Sequence, residues 1–270
     1  MMDYFYYFLI VTGLLIISRK LLKALNFRFF KRNNSLTSSE TEIIGPFRQK
    51  LAANFVVYRL LSRNGQYQFE ERIGHFIRMK TFLAGNNIKE ITNEMRVMVA
   101  ASAIQLTYGY PDVYFTHFET IILFADDYYS TITGQYHEGE VNARGAIVLS
   151  WRSFLSGFNN MADGRNLAIH EMAHALRLTN IFDNEEYDFI DADIMHEFEE
   201  LSKIEMQKID SGENTFFRSY GATNLLEFFS VAVECFFEMP REYMAYNPSH
   251  YNLLAQILKI DLLNFKENQN

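Results

Sequence analysis

The sequence predicts an α+β fold, mostly helical with a small sheet, and preceded by an N-terminal membrane-anchor helix. Three observations lead there. Apolar residues at helical spacing recur through most of residues 47–265 with few prolines or glycines between them, two short β-rich runs stand mid-chain, and residues 4–18 carry no charge. With 270 residues and 49% hydrophobic content, the chain can bury a large core as one main domain. The boundaries read as an anchor and basic flank over 1–33, a linker over 34–46 and the main domain over 47–270. A net charge of −8 without a basic stripe beyond the N-terminal region excludes nucleic acid as a partner. The single cysteine, Cys235, excludes an intrachain disulfide and fits a reducing compartment; it reads as a small buried apolar residue.

Taken in order, Tyr4 to Ser18 is followed at once by Arg19, Lys20, Lys23, Arg28, Lys31 and Arg32. At about 1.5 Å per residue the uncharged run covers about 22 Å of a hydrocarbon core of about 30 Å, and snorkelling of Arg19 and Lys20 extends it. The charges follow the apolar run, whereas a cleaved secretory signal carries them before it. The positive-inside rule then places everything after Arg19 in the cytoplasm, giving a single-pass protein of the cell membrane. Polar residues from Arg32 to Glu42 read as linker. Helical spacing runs from Phe47 to about Leu61 and from about Tyr67 to Phe82, then from Ile91 to Leu106 with Thr92 as N-cap. Strands are expected at Thr120–Phe124 and Gly145–Leu149, separated by a polar loop with Gly134, His137 and Gly139. Asp183 to Glu200 reads as a solvated loop and helix, and the rest as mostly helical to about Phe265.

The most specific signal is His170-Glu171-Met172-Ala173-His174. Residues four apart on a helix lie one turn above each other, so two imidazoles can aim at one metal ion. Glu171 is rotated by about 100° from His170, which suits a carboxylate that does not bind the metal but takes a proton from a metal-bound water as general base. Leu167, Ile169, Met172, Ala173, Ala175 and Leu176 make this helix apolar nearly all round. Buried histidines and a buried carboxylate need partners, and a divalent cation satisfies all three.

A catalytic zinc site takes three protein ligands and an open position. The metzincin pattern is excluded, because Arg177 and Asn180 stand where its glycine and third histidine belong. A glutamate from a distant helix remains, the gluzincin solution. Glu227 and Glu234 lie two turns apart on one face of Asn224–Glu238, with Glu238 near that face; spacing leaves the choice between Glu227 and Glu234 open.

These residues resemble the Mlc titration factor A (MtfA-like) zinc-dependent peptidases. Ile169–His174 looks like that family's metal helix, Thr92–Val97 like its upstream helix, and Gly145–Trp151 like the strand before the site. The most specific piece is Tyr220–Phe237, with a tyrosine seven residues before a glutamate and a Glu-x-Phe-x-Val-x-x-Glu-x-Phe-Phe pattern. The resemblance covers about residues 88–245. It implies a gluzincin-type metallopeptidase domain of lethal-factor-like kind with one Zn²⁺ held by His170, His174 and Glu227. Glu171 is then the base, Tyr220 stands near the open position, and Glu234 orients a histidine through its other ring nitrogen. The implied reaction is hydrolysis of peptide bonds in a peptide or protein substrate, with the choice between aminopeptidase and endopeptidase left open, and with the Tyr220 hydroxyl helping the metal to stabilise the oxyanion. Gly145–Leu149 is expected to pair with extended substrate as an edge strand. Where the family commonly has Lys-Leu-Asp after the second histidine, this chain has Ala175-Leu176-Arg177. The alternative is a membrane-tethered zinc-containing binding protein that sequesters a transcriptional regulator. Glu171 favours catalysis, since a structural zinc site needs no unbound base beside its ligands.

Overall fold

The computed structural model describes residues 37–130, 134–160, 162–182, 189–213 and 215–267. The chain divides into two compact units, Met1–Thr37 and Ser38–Asn270. The anchor and basic flank read over 1–33 lie outside the described residues, and among those described no helix is long and apolar enough to cross a membrane.

The second unit is mostly helical with a small mixed sheet, as an α+β reading requires. It opens with α1 (Ser38–Ile44), a short 3₁₀ turn (Gly45–Phe47), α2 (Arg48–Asn54), α3 (Val56–Leu60) and α4 (Arg63–Met79). The polar composition of 38–46 reads as linker, yet the segment is helical. Ile44 is buried in the core, and buried Glu40 pairs with Arg78 of α4, contacts that no local pattern announces. The single helix expected from Phe47 to Leu61 is broken at Phe55, whose backbone is extended (φ −118°, ψ 109°). The break lets the Phe55 ring pack edge-on against Phe158 at 5.4 Å, and the Val57 amide donates to Gln105 Oε1 at 3.2 Å.

β1 (Thr81–Ala84) follows α4 where the helical pattern was expected to run on through Phe82. α5 (Asn93–Leu106) starts as expected, with Thr92 Oγ1 accepting from the Met95 amide at 3.2 Å. Every residue from Val97 to Leu106 is buried, so α5 is the axis of the core. Arg72 of α4 donates to the carbonyls of Thr107, Tyr108 and Tyr110 (2.8, 3.3 and 3.1 Å), tying α4 to the turn that follows α5.

Next come β2 (Thr120–Phe124), β3 (Tyr128–Ser130), β4 (Gln135–His137), β5 (Gly139–Asn142), β6 (Ala146–Ser150) and α6 (Trp151–Ser156). The main sheet runs β1-β2-β6-β5, parallel except for β5, which pairs antiparallel with β6; β3 and β4 form a separate hairpin. Both sides of β6 are therefore occupied, by β2 and by β5, which overturns the expectation that Gly145–Leu149 serves as an edge for substrate. The outermost strand on that side is β5, within the stretch read as a polar loop. Gly139 and Asn142 are poor strand formers, and it is pairing with β6 that holds them extended.

The C-terminal half is helical: α7 (Leu167–Phe182), α8 (Ala192–Asp210), a 3₁₀ turn (Ser219–Thr223), α9 (Leu225–Glu238), α10 (Pro240–Tyr246) and α11 (Pro248–Leu258), ended by Lys259 in the left-handed region (φ 52°). Between α8 and α11 lies a buried polar pair. The Ser202 hydroxyl donates to Phe198 O (2.7 Å) and accepts from His250 Nε2 (2.9 Å), while Tyr243 OH donates to His250 Nδ1 at 2.5 Å. Burial pushes the His250 imidazole down from 6.5 to about 4, so the ring is neutral in the folded protein. The unfolded chain binds this proton first as pH falls. The neutral ring's contribution is therefore complete above about pH 6.5 and lost on acidification toward pH 4, a swing of about 3 kcal/mol. Denaturant unfolding at pH 7 and at pH 5 is expected to show a steeper loss of stability for wild type than for His250→Gln; equal slopes would sink this account.

Candidate metal centre

The site lies where α7 and α9 pack against each other, with β5 against α7 and the Ser219–Thr223 turn against α9. Each helix is started by an asparagine. Asn166 Oδ1 accepts from the Ile169 amide at 3.2 Å ahead of α7, and Asn224 Oδ1 accepts from the amides of Leu226 (2.9 Å) and Glu227 (3.0 Å) ahead of α9. α7 is apolar on nearly every side, and His170, Glu171 and His174 are buried with it.

Three donor atoms converge between the helices. His170 Nε2 lies 3.0 Å from His174 Nε2 and 3.1 Å from Glu227 Oε2, and His174 Nε2 lies 3.4 Å from the same oxygen. Among the described residues this trio is the one group whose ligand atoms sit close enough to share an ion. The triangle matches a tetrahedral zinc site, where bonds of about 2.0–2.1 Å place neighbouring donors about 3.3 Å apart. The protons agree as well. His170 Nδ1 faces Glu234 Oε1 at 2.7 Å, so it carries hydrogen and leaves the Nε2 lone pair pointing at His174 and Glu227. Two imidazole nitrogens and a carboxylate aimed at one point fit a divalent cation.

Glu234 thus sits behind His170, on the far side of the ring from Glu227. Its two oxygens accept from His170, from the Asn166 amide (2.6 Å) and from both terminal nitrogens of Arg218 (2.9 and 2.7 Å). Glu238, one turn on, accepts from Arg165 N (3.2 Å) and Asn166 Nδ2 (3.1 Å); burial pushes its carboxyl up to about 7, against the pull of the Asn166 bond. It is not a solvated edge residue but a second anchor for the start of α7. Cys235 is buried and its thiol is pushed up to about 12 by burial, in keeping with a packing role.

Charge at the site is strongly coupled. In the metal-free protein burial pushes His170 down, but hydrogen bonds to Glu227 and Glu234 outweigh it and raise the ring, so an ion entering the triangle displaces the Nε2 proton and takes that lone pair. Burial also opposes the Glu227 charge, and bonds to the two histidines more than compensate, holding its carboxyl well below the usual range. Glu171, 5% exposed, is pushed up by burial against the pull of both histidines. It is not one of the three converging donors. Tyr220 is 51% exposed, with its ring 5.9 Å from that of His170, and its phenol is pushed up by burial and by the charges of Glu227 and Glu171.

A cleft of about 560 Å³ opens onto these groups, lined among others by Tyr136, Gly139, Arg165, His170, Glu171 and Tyr220. The structure brings together all six residues singled out in the sequence. It adds three that sequence reasoning missed: Asn166, Gly139 and Arg218. Asn166 was legible as a cap ahead of an apolar helix; no spacing rule connects Arg218 to Glu234 or Gly139 to Glu171. Arg177, which stands where an aspartate is common, turns away to Glu199 of α8 at 2.7 Å. His174 Nδ1 is buried with no hydrogen-bond partner among the described residues, in contrast to the well-held His170.

An uncharacterized protein of Synechocystis sp. is 25% identical over 219 residues, covering 74% of this chain and 78% of that protein. The model of a family described as glucose-regulated metallo-peptidase M90 matches residues 27–259, which include the His170, Glu171, His174 and Glu227 constellation. With most of its length matched, the chain belongs to the glucose-regulated metallo-peptidase M90 family, the MtfA family that its motifs resemble.

Proposed function

We propose that the protein is a zinc-dependent peptidase in which Glu171 is the general base. The observation that carries this reading is a buried carboxylate that stands beside a His-His-Glu donor triangle without belonging to it. Zinc held by His170, His174 and Glu227 supplies Lewis-acid polarisation of a peptide carbonyl and acidifies water. Glu171 takes the proton of the attacking water and delivers it to the departing amine, a role suited to a carboxyl that burial makes more basic. Tyr220 keeps its proton, since burial and the neighbouring carboxylates disfavour phenolate, and its hydroxyl is available to donate to the developing oxyanion. A cleft of about 560 Å³ takes a short stretch of peptide. The test is cleavage of a fluorogenic peptide set by zinc-loaded wild type and Glu171→Gln. Equal rates would remove the enzymatic reading and leave that of a binding protein.

Gly139 supports the same reading from the opposite wall. A Cβ built there meets Glu171 Oε1 at 2.6 Å and its Cγ and Cδ at 2.7 Å, so β5 approaches the base as closely as only glycine allows. Gly139→Ala is expected to displace the Glu171 side chain and lower kcat/KM by about 10²-fold, the scale of a ~1 Å misplacement, without loss of zinc. Steady-state kinetics together with metal content check it, and unchanged kcat/KM would contradict the contact.

A further inference from the structure

We propose that Arg218 is a positioning residue of the metal centre: its guanidinium grips Glu234 with two prongs, and Glu234 in turn fixes the orientation and tautomer of the His170 ring. The inference rests on the reading that His170, His174 and Glu227 hold the metal.

The hydrogen-bond inventory carries it. Oε1 of Glu234 accepts from His170 Nδ1 (2.7 Å) and Arg218 Nη2 (2.7 Å); Oε2 accepts from the Asn166 amide (2.6 Å) and Arg218 Nη1 (2.9 Å). Each oxygen has two donors, so the carboxylate cannot turn without breaking a bond. It has nothing to donate, so the proton shared with His170 belongs on Nδ1 and the Nε2 lone pair is left for the ion. Half of those bonds come from Arg218. At 1% exposure the Glu234 carboxylate needs a charged partner, and Arg218 supplies a permanent one at 2.7 Å. The planar fork suits this task and an ammonium does not, because one point charge cannot hold both oxygens in a plane.

Arg218 is itself held. Its Nη1 also donates to the Gly164 carbonyl, just before α7, and its guanidinium carbon lies 5.8 Å from the centre of the Tyr220 ring. One side chain thereby ties the loop ahead of α7, the loop that carries Tyr220, and the carboxylate behind a metal ligand. A purely structural ion pair would pin the same loops, but it would leave the metal's surroundings unaltered when weakened.

The experiment compares full-length wild type, Arg218→Lys and Arg218→Met. Each is stripped of metal, titrated with Zn²⁺ against a chelator of known affinity, and loaded with Co²⁺ for its visible absorption spectrum. Arg218→Met is expected to bind zinc about 10–100-fold more weakly, the range for losing a partner of a ligand, with a shifted cobalt spectrum and Arg218→Lys in between. In a Glu234→Gln background, Arg218→Met is expected to cost little more, since both act through one carboxylate. Should Arg218→Met fail to fold, Arg218→Lys decides. Wild-type affinity and spectrum in a folded variant would overturn the inference alone, as would a full additional loss in the Glu234→Gln background. Failure of wild type to bind zinc would overturn the metal reading and this inference with it.

Discussion

Glu171→Gln is expected to lower kcat on a fluorogenic peptide by about 10²–10⁴-fold, the usual contribution of a general base, while zinc content and thermal stability stay close to wild type. The amide has the shape of the carboxylate and can fill the same buried space. It has no basic oxygen to take a proton, and it cannot return one to the leaving amine. Glu171 is not one of the donors that converge between α7 and α9, so metal binding is not expected to follow activity down. Substitution also removes a buried carboxylate whose charge burial disfavours despite the two histidines, which if anything stabilises the fold. Steady-state kinetics and metal analysis on the same preparation check both halves. Loss of zinc along with activity would mean that Glu171 holds the ion.

Glu227→Ala and Glu234→Ala are expected to produce opposite rankings in two measurements. Glu227 Oε2 is one corner of the donor triangle, at 3.1 and 3.4 Å from the two imidazole nitrogens. Its removal leaves two ligands, and zinc affinity should fall by well over the ~10–100-fold expected for losing an outer partner. Glu234 is nearly inaccessible and already engaged by four donors, so its loss should cost zinc only within that range. It leaves the partly buried Arg218 guanidinium without its carboxylate, however, and the metal-free protein should lose stability, by less than the ~3–5 kcal/mol of a fully buried pair. Chelator competition and thermal unfolding of the metal-free variants separate the two. If zinc is lost mainly on Glu234→Ala, the assignment of ligand and supporting carboxylate must be exchanged.

Much of this could be read from the chain itself because it depends on local periodicity. His170 and His174 share a helix face whatever surrounds them, and Glu171 is turned away from that face by the same rotation. The Thr92 cap, the helix α5 and the strand β2 follow equally from short stretches of pattern. Elements whose stability comes from distant partners were misread. β5 is extended because β6 pairs with it, β1 because β2 does, and α1 is helical because Ile44 and Glu40 find a core and an arginine.

The sequence alone thus determined a buried helix with two imidazoles on one face and a carboxylate beside them, and a second apolar helix carrying three glutamates. Which glutamate meets the imidazole nitrogens, and which meets the back of a ring, was decided by how α9 lies along α7. The stripe of Glu227, Ser230, Glu234 and Glu238 marks the inward side of α9, but a face shared by three glutamates does not say which of them reaches the nitrogens. Packing of the two helices sets it, and only then do Arg218 and Gly139, with no sequence relation to the motif, come to hold the site from behind and from across the cleft.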